Sequence, residues 1–274
     1  MTNRKNDTKY HEVLKQASIY VYHGQNAQLP AGYRVIDKAE NKKNGFYAEA
    51  YSNGKDIIIA YRGTEGGLDI QNDIAMAKKN IPAQASDAIS FHDKIQRENP
   101  TLEIATTGHS LGGSLSEIVS AIRGTLAVTF NAYGVRDMFT SYTRLKENNI
   151  VNYVNESDGI TMVNGENHLG EIYTVPSIAN PSKNPIAYKW NCHKAEGIGK
   201  LSQRVQKTPT EIKETADRLH PNSSRIKNNI NRKSSNHSSS SAQCVGSYTV
   251  SGYTRSDGKE VNSYTRTCGA KHNS

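Results

Sequence analysis

The segment Gly108-His109-Ser110-Leu111-Gly112 constrains the fold of this chain more than any other feature. A short apolar run, Leu102 to Thr107, comes before it, and a helical pattern that ends at Gly124 comes after it. The apolar residues of that pattern are Leu111, Leu115, Ile118, Val119 and Ile122. The sequence therefore predicts a strand, a sharp turn and a helix, with glycines that allow strand and helix to pass closely while the Ser110 hydroxyl stays accessible.

Other apolar runs alternate with helical patterns along the chain. Phe46 to Tyr51 and Asp56 to Tyr61 flank an Asn-Gly pair, which is typical of a tight hairpin. Residues Ser86 to Glu98 predict a helix that stops before Pro100. Three more strands are predicted at Ala127 to Tyr133, Ile150 to Asn155 and Ile172 to Val175. The alternation favours an α/β fold with a mostly parallel central sheet flanked by helices.

The 274 residues are sufficient for one α/β domain with a small region left over. We assign residues 1–219 to that domain, whose last part, 197–219, has a polar helical pattern. Residues 220–243 are basic and rich in Ser and Asn, which predicts a flexible linker. In 244–274, a Tyr-Thr-Arg triplet recurs on both sides of Asp257-Gly258, as expected for a small β-hairpin.

The excess positive charge lies in the C-terminal part of the chain. Residues 1–196 hold 21 basic and 21 acidic residues, whereas 197–274 hold 13 basic and 5 acidic ones. This pattern predicts peripheral contact between the tail and an anionic membrane surface, although a solvated basic tail explains it equally well. Tyr253, Arg255, Tyr264 and Arg266 could instead contact nucleic acid, but we do not expect nucleic acid to be the main partner.

The three cysteines do not have the paired spacings of zinc or redox sites, so we expect no metal and no cofactor. Cys244 and Cys268 could pair in an oxidising compartment, which would leave Cys192 unpaired. No apolar run reaches the roughly 18 residues of a membrane span, and residues 1–15 lack the apolar core of a Sec signal peptide. We expect a cytoplasmic protein in the producing cell, with any export by another route.

Ser110 is the candidate nucleophile, because a serine on such a turn is exposed to a substrate and to a neighbouring base. The backbone N–H of Leu111, at the start of the following helix, is a candidate donor to a developing oxyanion. Thr64 is the second candidate donor, because Arg62-Gly63-Thr64 follows the strand Asp56 to Tyr61 at the same end of the sheet. An ordinary turn is the alternative for Thr64.

A serine nucleophile of this kind requires a carboxylate and then a histidine later in the chain. Asp158 directly follows the strand Ile150 to Asn155 and is the candidate acid, with Glu156 as the alternative. His193 is the candidate base, because its distance from Asp158 leaves room for another strand and a return loop. His168 is the alternative base. Two further histidines, His220 and His237, lie in or beside the linker and would be poorly anchored.

These residues resemble the class 3 lipase group of the α/β-hydrolases, which includes bacterial and phage-associated phospholipase A1-like members. The resemblance covers about Tyr33 to Glu196 and is carried by Arg62-Gly63-Thr64, the Thr107 to Leu115 segment, the strand Val128 to Gly134 and the Asp158 loop. The C-terminal linker and hairpin have no counterpart in the family core, and the separation between Asp158 and His193 is short for the family.

The resemblance implies an α/β-hydrolase-like fold and a serine hydrolase that cleaves lipid esters through Ser110, Asp158 and His193, without a cofactor. It also implies a lid near Glu65 to Asn80, although a core-packed helix would explain that pattern too. We expect a phospholipase A1 that acts on phospholipid or another lipid ester. The alternatives are a short-chain carboxylesterase or thioesterase, and a non-catalytic binding protein on the same scaffold.

Overall fold

The computed structural model describes residues 4–63, 70–139, 144–159, 161–179, 188 and 191–219, and four short strands between 248 and 266. Side chains are not described for 70–82, for 163 or for the C-terminal strands. The chain divides into two compact units, residues 1–231 and 232–274. The boundaries at 219 and 243 remain predictions.

The larger unit contains one sheet of eight strands whose spatial order follows the chain order. The strands are β1 (Arg34–Asn41), β2 (Phe46–Ser52), β3 (Asp56–Tyr61), β4 (Glu103–His109), β5 (Leu126–Phe130), β6 (Ile150–Asn155), β7 (Glu171–Val175) and β8 (Val205–Lys207). Neighbouring strands are parallel from β3 to β7, whereas β1, β2 and β8 pair antiparallel with their neighbours. The predicted α/β fold with a mostly parallel sheet is confirmed.

Helices cover both faces of this sheet, as the alternation of side chains along β3 requires. The helices are α1 (Thr8–His23), α2 (Ile70–Glu98), α3 (Leu111–Arg123) and α4 (Pro209–Leu219). Ile58 and Ala60 pack in the apolar cluster that includes residues of α1, whereas Ile57, Ile59 and Tyr61 pack in the cluster that includes residues of α2 and α3. Strand β3 is therefore buried on both faces, which explains its continuous apolar sequence.

The structure differs from the sequence prediction at several elements. Helix α1 and strand β1 are not among the elements predicted above. Helix α2 begins at Ile70 rather than Ser86 and continues through Pro82, because local sequence preferences define the existence of a helix better than its ends. Strand β5 ends at Phe130 rather than Tyr133, because Asn131 takes a positive φ of 46° and leaves the extended conformation.

The predicted helical stretch 197–219 is also wrong in its first half. It contains the edge strand β8 before α4 begins at Pro209, a position in the first helical turn that proline favours. None of the helices in the described part of the chain combines the length and apolarity that a bilayer span requires. Cys192 is buried and carries a free thiol, whereas Cys244 and Cys268 lie outside the described residues.

The smaller unit contains two antiparallel strand pairs. Strand β9 (Tyr248–Val250) pairs with β12 (Tyr264–Arg266), and β10 (Tyr253–Thr254) pairs with β11 (Glu260–Val261). This nested pairing is the one expected of a hairpin across residues 257–258, which themselves lie outside the described residues. The predicted small β-hairpin is therefore confirmed as a pattern of strand pairing.

Helix α1 contributes a buried histidine to the core. His11 is fully buried, with its Nδ1 2.8 Å from the Tyr153 hydroxyl and its Nε2 3.0 Å from the Arg4 carbonyl oxygen. A carbonyl only accepts, so Nε2 carries the proton and Nδ1 accepts from Tyr153. Burial lowers the pKa of His11 to about 4, and the hydrogen bond to Arg4 opposes that shift.

We predict that His11 makes folding stability depend on pH between about 6.5 and 4. In the unfolded chain His11 binds a proton below its ordinary pKa of 6.5, whereas in the folded chain it stays neutral until about pH 4. The free energy of unfolding therefore decreases as pH falls through this window. The variant His11→Gln should lose less stability than the wild type between pH 7 and pH 4.5. Urea unfolding at several pH values measures this difference, and parallel curves for the two proteins would contradict it.

Candidate active site

Ser110 lies on a sharp turn between β4 and α3. Its φ is 54° and its ψ is −127°, a strained conformation that L-residues rarely adopt. Its backbone N–H donates to the Phe130 carbonyl at 3.1 Å, and its own carbonyl accepts from the Ser114 N–H at 3.1 Å. These hydrogen bonds connect the turn to strand β5 and to helix α3, so the serine is held where the strand becomes a helix.

Glycines make this turn sterically feasible. A Cβ atom at Gly108 would lie 2.3 Å from the backbone of Gly112, and one at Gly112 would lie 2.0 Å from the carbonyl oxygen of Tyr61. At Gly113, a Cβ atom would lie 2.6 Å from the Ala132 side chain. Each distance is shorter than the contacts that real Cβ atoms make. The close packing of α3 on the sheet therefore requires glycine, which has no side chain, at these three positions.

The structure brings Ser110, His193 and Asp158 into one chain of hydrogen bonds. His193 Nε2 is 3.0 Å from Ser110 Oγ, and His193 Nδ1 is 2.8 Å from Asp158 Oδ2. Asp158 is fully buried after β6, and its Oδ2 also accepts from the Thr161 hydroxyl at 2.7 Å. When the carboxylate accepts from His193 Nδ1–H, Nε2 is free to accept the Ser110 proton.

The alternative site residues are placed elsewhere. His168 Nδ1 is 2.6 Å from Glu117 Oε1 in a fully buried pair. Its Nε2 has no hydrogen-bond partner among the residues that the structure describes, Ser110 included. Glu156 is half-buried on the loop that carries Asp158. His220 and His237 lie outside the described residues.

Of the two expected oxyanion donors, Leu111 lies within the described residues and Thr64 does not. Leu111 is the first residue of α3, and the first four N–H groups of a helix have no acceptor within it. Thr64 and the first residues of the expected lid lie outside the described residues, and from Ile70 the remainder of that segment belongs to α2. Gly63, which precedes Thr64, lies beside the serine turn, since a Cβ atom there would lie 2.7 Å from the His109 carbonyl oxygen.

Sequence reasoning missed the polar residues that hold the His193 loop. His109 Nε2 and Asn131 Nδ2 both contact the His193 carbonyl oxygen, at 2.6 and 2.7 Å. Asn131 and Asn155 also donate to the Cys192 carbonyl, at 3.1 and 2.9 Å. The sequence feature that could have indicated these residues is an asparagine at the end of each of two buried strands, β5 and β6.

Tyr22, in the last turn of α1, is another residue of the site that no sequence pattern indicated. Its hydroxyl contacts both His109 and Gly63. Within the described ranges, no group of three or more His, Cys, Asp or Glu side chains is arranged to hold a metal ion.

We predict that Gly112→Ala destabilises the protein far more than Gly32→Ala does. Gly32 has a φ of +81° and open space around its Cβ position, so alanine there costs only the roughly 1–2 kcal/mol of a left-handed conformation. At Gly112, the added methyl must displace the Tyr61 carbonyl, which is part of β3. Urea unfolding of the two variants provides the measurement, and equal losses of stability would contradict the steric argument.

Solved structures with similar folds include Lip2 lipase from Yarrowia lipolytica, with a TM-score of 0.49 and 15% identity over 76% of this chain and 87% of that chain. A triacylglycerol lipase from Penicillium expansum has a TM-score of 0.47 and 15% identity over 75% of this chain and 86% of that chain.

An extracellular phospholipase A1 of Serratia liquefaciens is 33% identical over 141 residues, which are 47% of this chain and 43% of that relative. The match thus covers less than half the length of either protein. A longer match is to the Tle-like phospholipase domain, which spans residues 15–224 and so includes β1 to β8, Ser110, Asp158 and His193. This chain belongs to the family of Tle-like phospholipase domains.

Proposed function

We propose that this protein is a phospholipase A1 that hydrolyses a carboxylic ester of membrane phospholipids through an acyl-enzyme on Ser110. The observation that carries the proposal is the pair of hydrogen bonds from His193, to Ser110 at 3.0 Å and to Asp158 at 2.8 Å, at a serine with a strained φ of 54°. Backbone strain of this kind is concentrated at functional sites, because it must be maintained by the surrounding structure.

In the proposed first step, His193 Nε2 removes the Ser110 proton while Oγ attacks the ester carbonyl. Asp158 accepts from His193 Nδ1–H, which holds the imidazole in the tautomer that can act as a base and stabilises the imidazolium that forms. The Thr161 hydroxyl donates to the same carboxylate oxygen and restricts its orientation. His193 then returns the proton to the leaving alcohol, and water releases the fatty acid by the same steps.

The negative charge of the tetrahedral intermediate needs donors that are already oriented. In the proposed mechanism the Leu111 N–H, at the positive end of α3, is one donor and Thr64 is the second. Gly63 supports this assignment for its neighbour Thr64, because a Cβ atom on Gly63 would lie 3.3 Å from the Gly112 nitrogen, beside the start of α3.

The family and the similarity to a phospholipase A1 support phospholipid as the substrate class. The test is hydrolysis of phospholipid vesicles whose two acyl chains carry different labels. We expect the wild type to release the sn-1 fatty acid and Ser110→Ala to be at least about 1000-fold slower. Cleavage of a short-chain ester or thioester without vesicle hydrolysis would contradict the proposal, as would inactivity on every substrate.

A matched pair of carboxylate variants tests the assignment of Asp158. Asp158→Asn should lower kcat by about 1000-fold or more, because the asparagine amide favours the wrong His193 tautomer. Glu156→Gln removes the same charge from the same loop and should stay within about threefold of the wild type. Similar losses in the two variants would contradict the assignment.

We further propose that the basic segment after residue 219 binds the anionic surface of the substrate membrane. Neutralising Arg225, Lys227, Arg232 and Lys233 to Gln in the full chain should weaken binding to anionic vesicles at least tenfold, since each basic residue near such a surface contributes about 1 kcal/mol. The matched control neutralises four exposed lysines elsewhere, Lys9, Lys42, Lys43 and Lys55. Equal effects of the two sets in vesicle co-sedimentation would contradict a specific role for the segment.

A further inference from the structure

The carbonyl oxygen of His193 is held by two buried side chains. His109 Nε2 lies 2.6 Å from it, and Asn131 Nδ2 lies 2.7 Å from it. Both side chains are at least nine-tenths buried, so neither bond competes directly with bulk water. Two N–H donors on one carbonyl oxygen use both of its lone pairs and fix the backbone from which the His193 imidazole extends.

The carbonyl also determines the proton arrangement of His109. A carbonyl oxygen only accepts, so Nε2 of His109 must carry a hydrogen, and in the neutral ring Nδ1 must accept. Nδ1 lies 3.2 Å from the Tyr22 hydroxyl, which is its donor. Burial, and secondarily the nearby charge of a protonated His193, lowers the pKa of His109 to about 4, which keeps the ring neutral near pH 7.

Tyr22 extends this chain of hydrogen bonds to the other side of the serine turn. Its hydroxyl oxygen accepts from the Gly63 N–H at 2.7 Å, and its own proton is shared between Nδ1 and the carbonyl oxygen of His109, each 3.2 Å away. Gly63 is adapted to this contact, because a Cβ atom there would lie 2.3 Å from the tyrosine oxygen. The hydrogen bonds therefore run in one direction, from Gly63 through Tyr22 and His109 to the His193 carbonyl.

We propose that Tyr22 and His109 are positioning residues. They hold Gly63, which follows strand β3, and His193 at fixed places on the two sides of Ser110. The proposal rests on the hydrolase function proposed above. The chain connects the residue before the candidate oxyanion donor Thr64 with the backbone of the candidate base. Tyr22 and His109 take no part in bond making; they prevent the two halves of the site from moving independently.

The experiment separates the two ends of the His109 ring. His109→Gln keeps an N–H donor near the Nε2 position but places no acceptor at the Nδ1 position for Tyr22. His109→Asn keeps an acceptor near the Nδ1 position but cannot reach the His193 carbonyl. Tyr22→Phe removes only the hydroxyl. The matched control is Tyr33→Phe, because Tyr33 is also half-buried and donates from its hydroxyl, at 2.7 Å, to Asp56 at the opposite end of β3.

Steady-state hydrolysis of a soluble short-chain ester is the kinetic readout. We expect Tyr22→Phe and His109→Asn to lower kcat by about 10- to 100-fold with KM within about twofold, since small misplacements of catalytic groups cost rate rather than binding. His109→Gln should lose less than His109→Asn. Tyr22→Phe and His109→Gln combined should lose less than the product of their separate effects, because they interrupt the same chain. Unchanged kcat in Tyr22→Phe, or strictly multiplicative effects, would overturn the proposal.

A second readout does not depend on activity. Long-range ¹H–¹⁵N NMR spectra of the folded wild type at pH 7 distinguish imidazole tautomers, and we expect the Nε2–H form for His109, with its signals displaced in Tyr22→Phe but not in Tyr33→Phe. An Nδ1–H or doubly protonated His109 would overturn the proposal. If the wild type has this tautomer and displacement but hydrolyses no ester, the hydrolase function fails while the hydrogen-bonded chain stands.

Discussion

The close approach of helix α3 to the ends of β3 and β4 is the constraint on which the rest of the site depends. Gly112 lies against the Tyr61 carbonyl, at a separation that excludes any side chain, and Gly108 lies against the backbone of Gly112. Because the helix starts so close to the sheet, Ser110 has to connect strand to helix in a single residue with a positive φ. That conformation directs Oγ toward His193 and puts the first N–H groups of α3 beside it.

Buried hydrogen bonds hold the part of the site that carries His193. Asn131 directly follows β5 and Asn155 is the last residue of β6, and their amides donate to carbonyls in the 192–197 loop. An unpaired polar group in such a place costs roughly 1–3 kcal/mol, so these amides and carbonyls stabilise the loop only in the geometry that pairs them. These hydrogen bonds thereby fix the backbone that carries His193.

Helix α1 connects the fold to the chemistry in a way that its sequence does not reveal. Its apolar residues Leu14, Ala17 and Val21 pack against the sheet, and Tyr22 in its last turn contacts the serine turn at His109. The helix that covers one sheet face thus also supplies the hydroxyl between Gly63 and His109. The packing of α1 on the sheet therefore also places the Tyr22 hydroxyl between Gly63 and His109.

The sequence by itself determined the mostly parallel sheet, the strand–turn–helix at Ser110 and the choice of Asp158 and His193 as candidates, because strand and helix periodicity and the Gly-x-Ser-x-Gly spacing are local properties of the chain. It did not determine α1, the start of α2, the end of β5 or the existence of β8, where packing and one positive φ outweigh local preference. Tertiary structure alone decided that His193 rather than His168 contacts Ser110, and that Tyr22, His109 and Asn131 support it. Those contacts join residues far apart in the chain, and their hydrogen-bond geometry exists only once the sheet, the helices and the 192–197 loop have packed together.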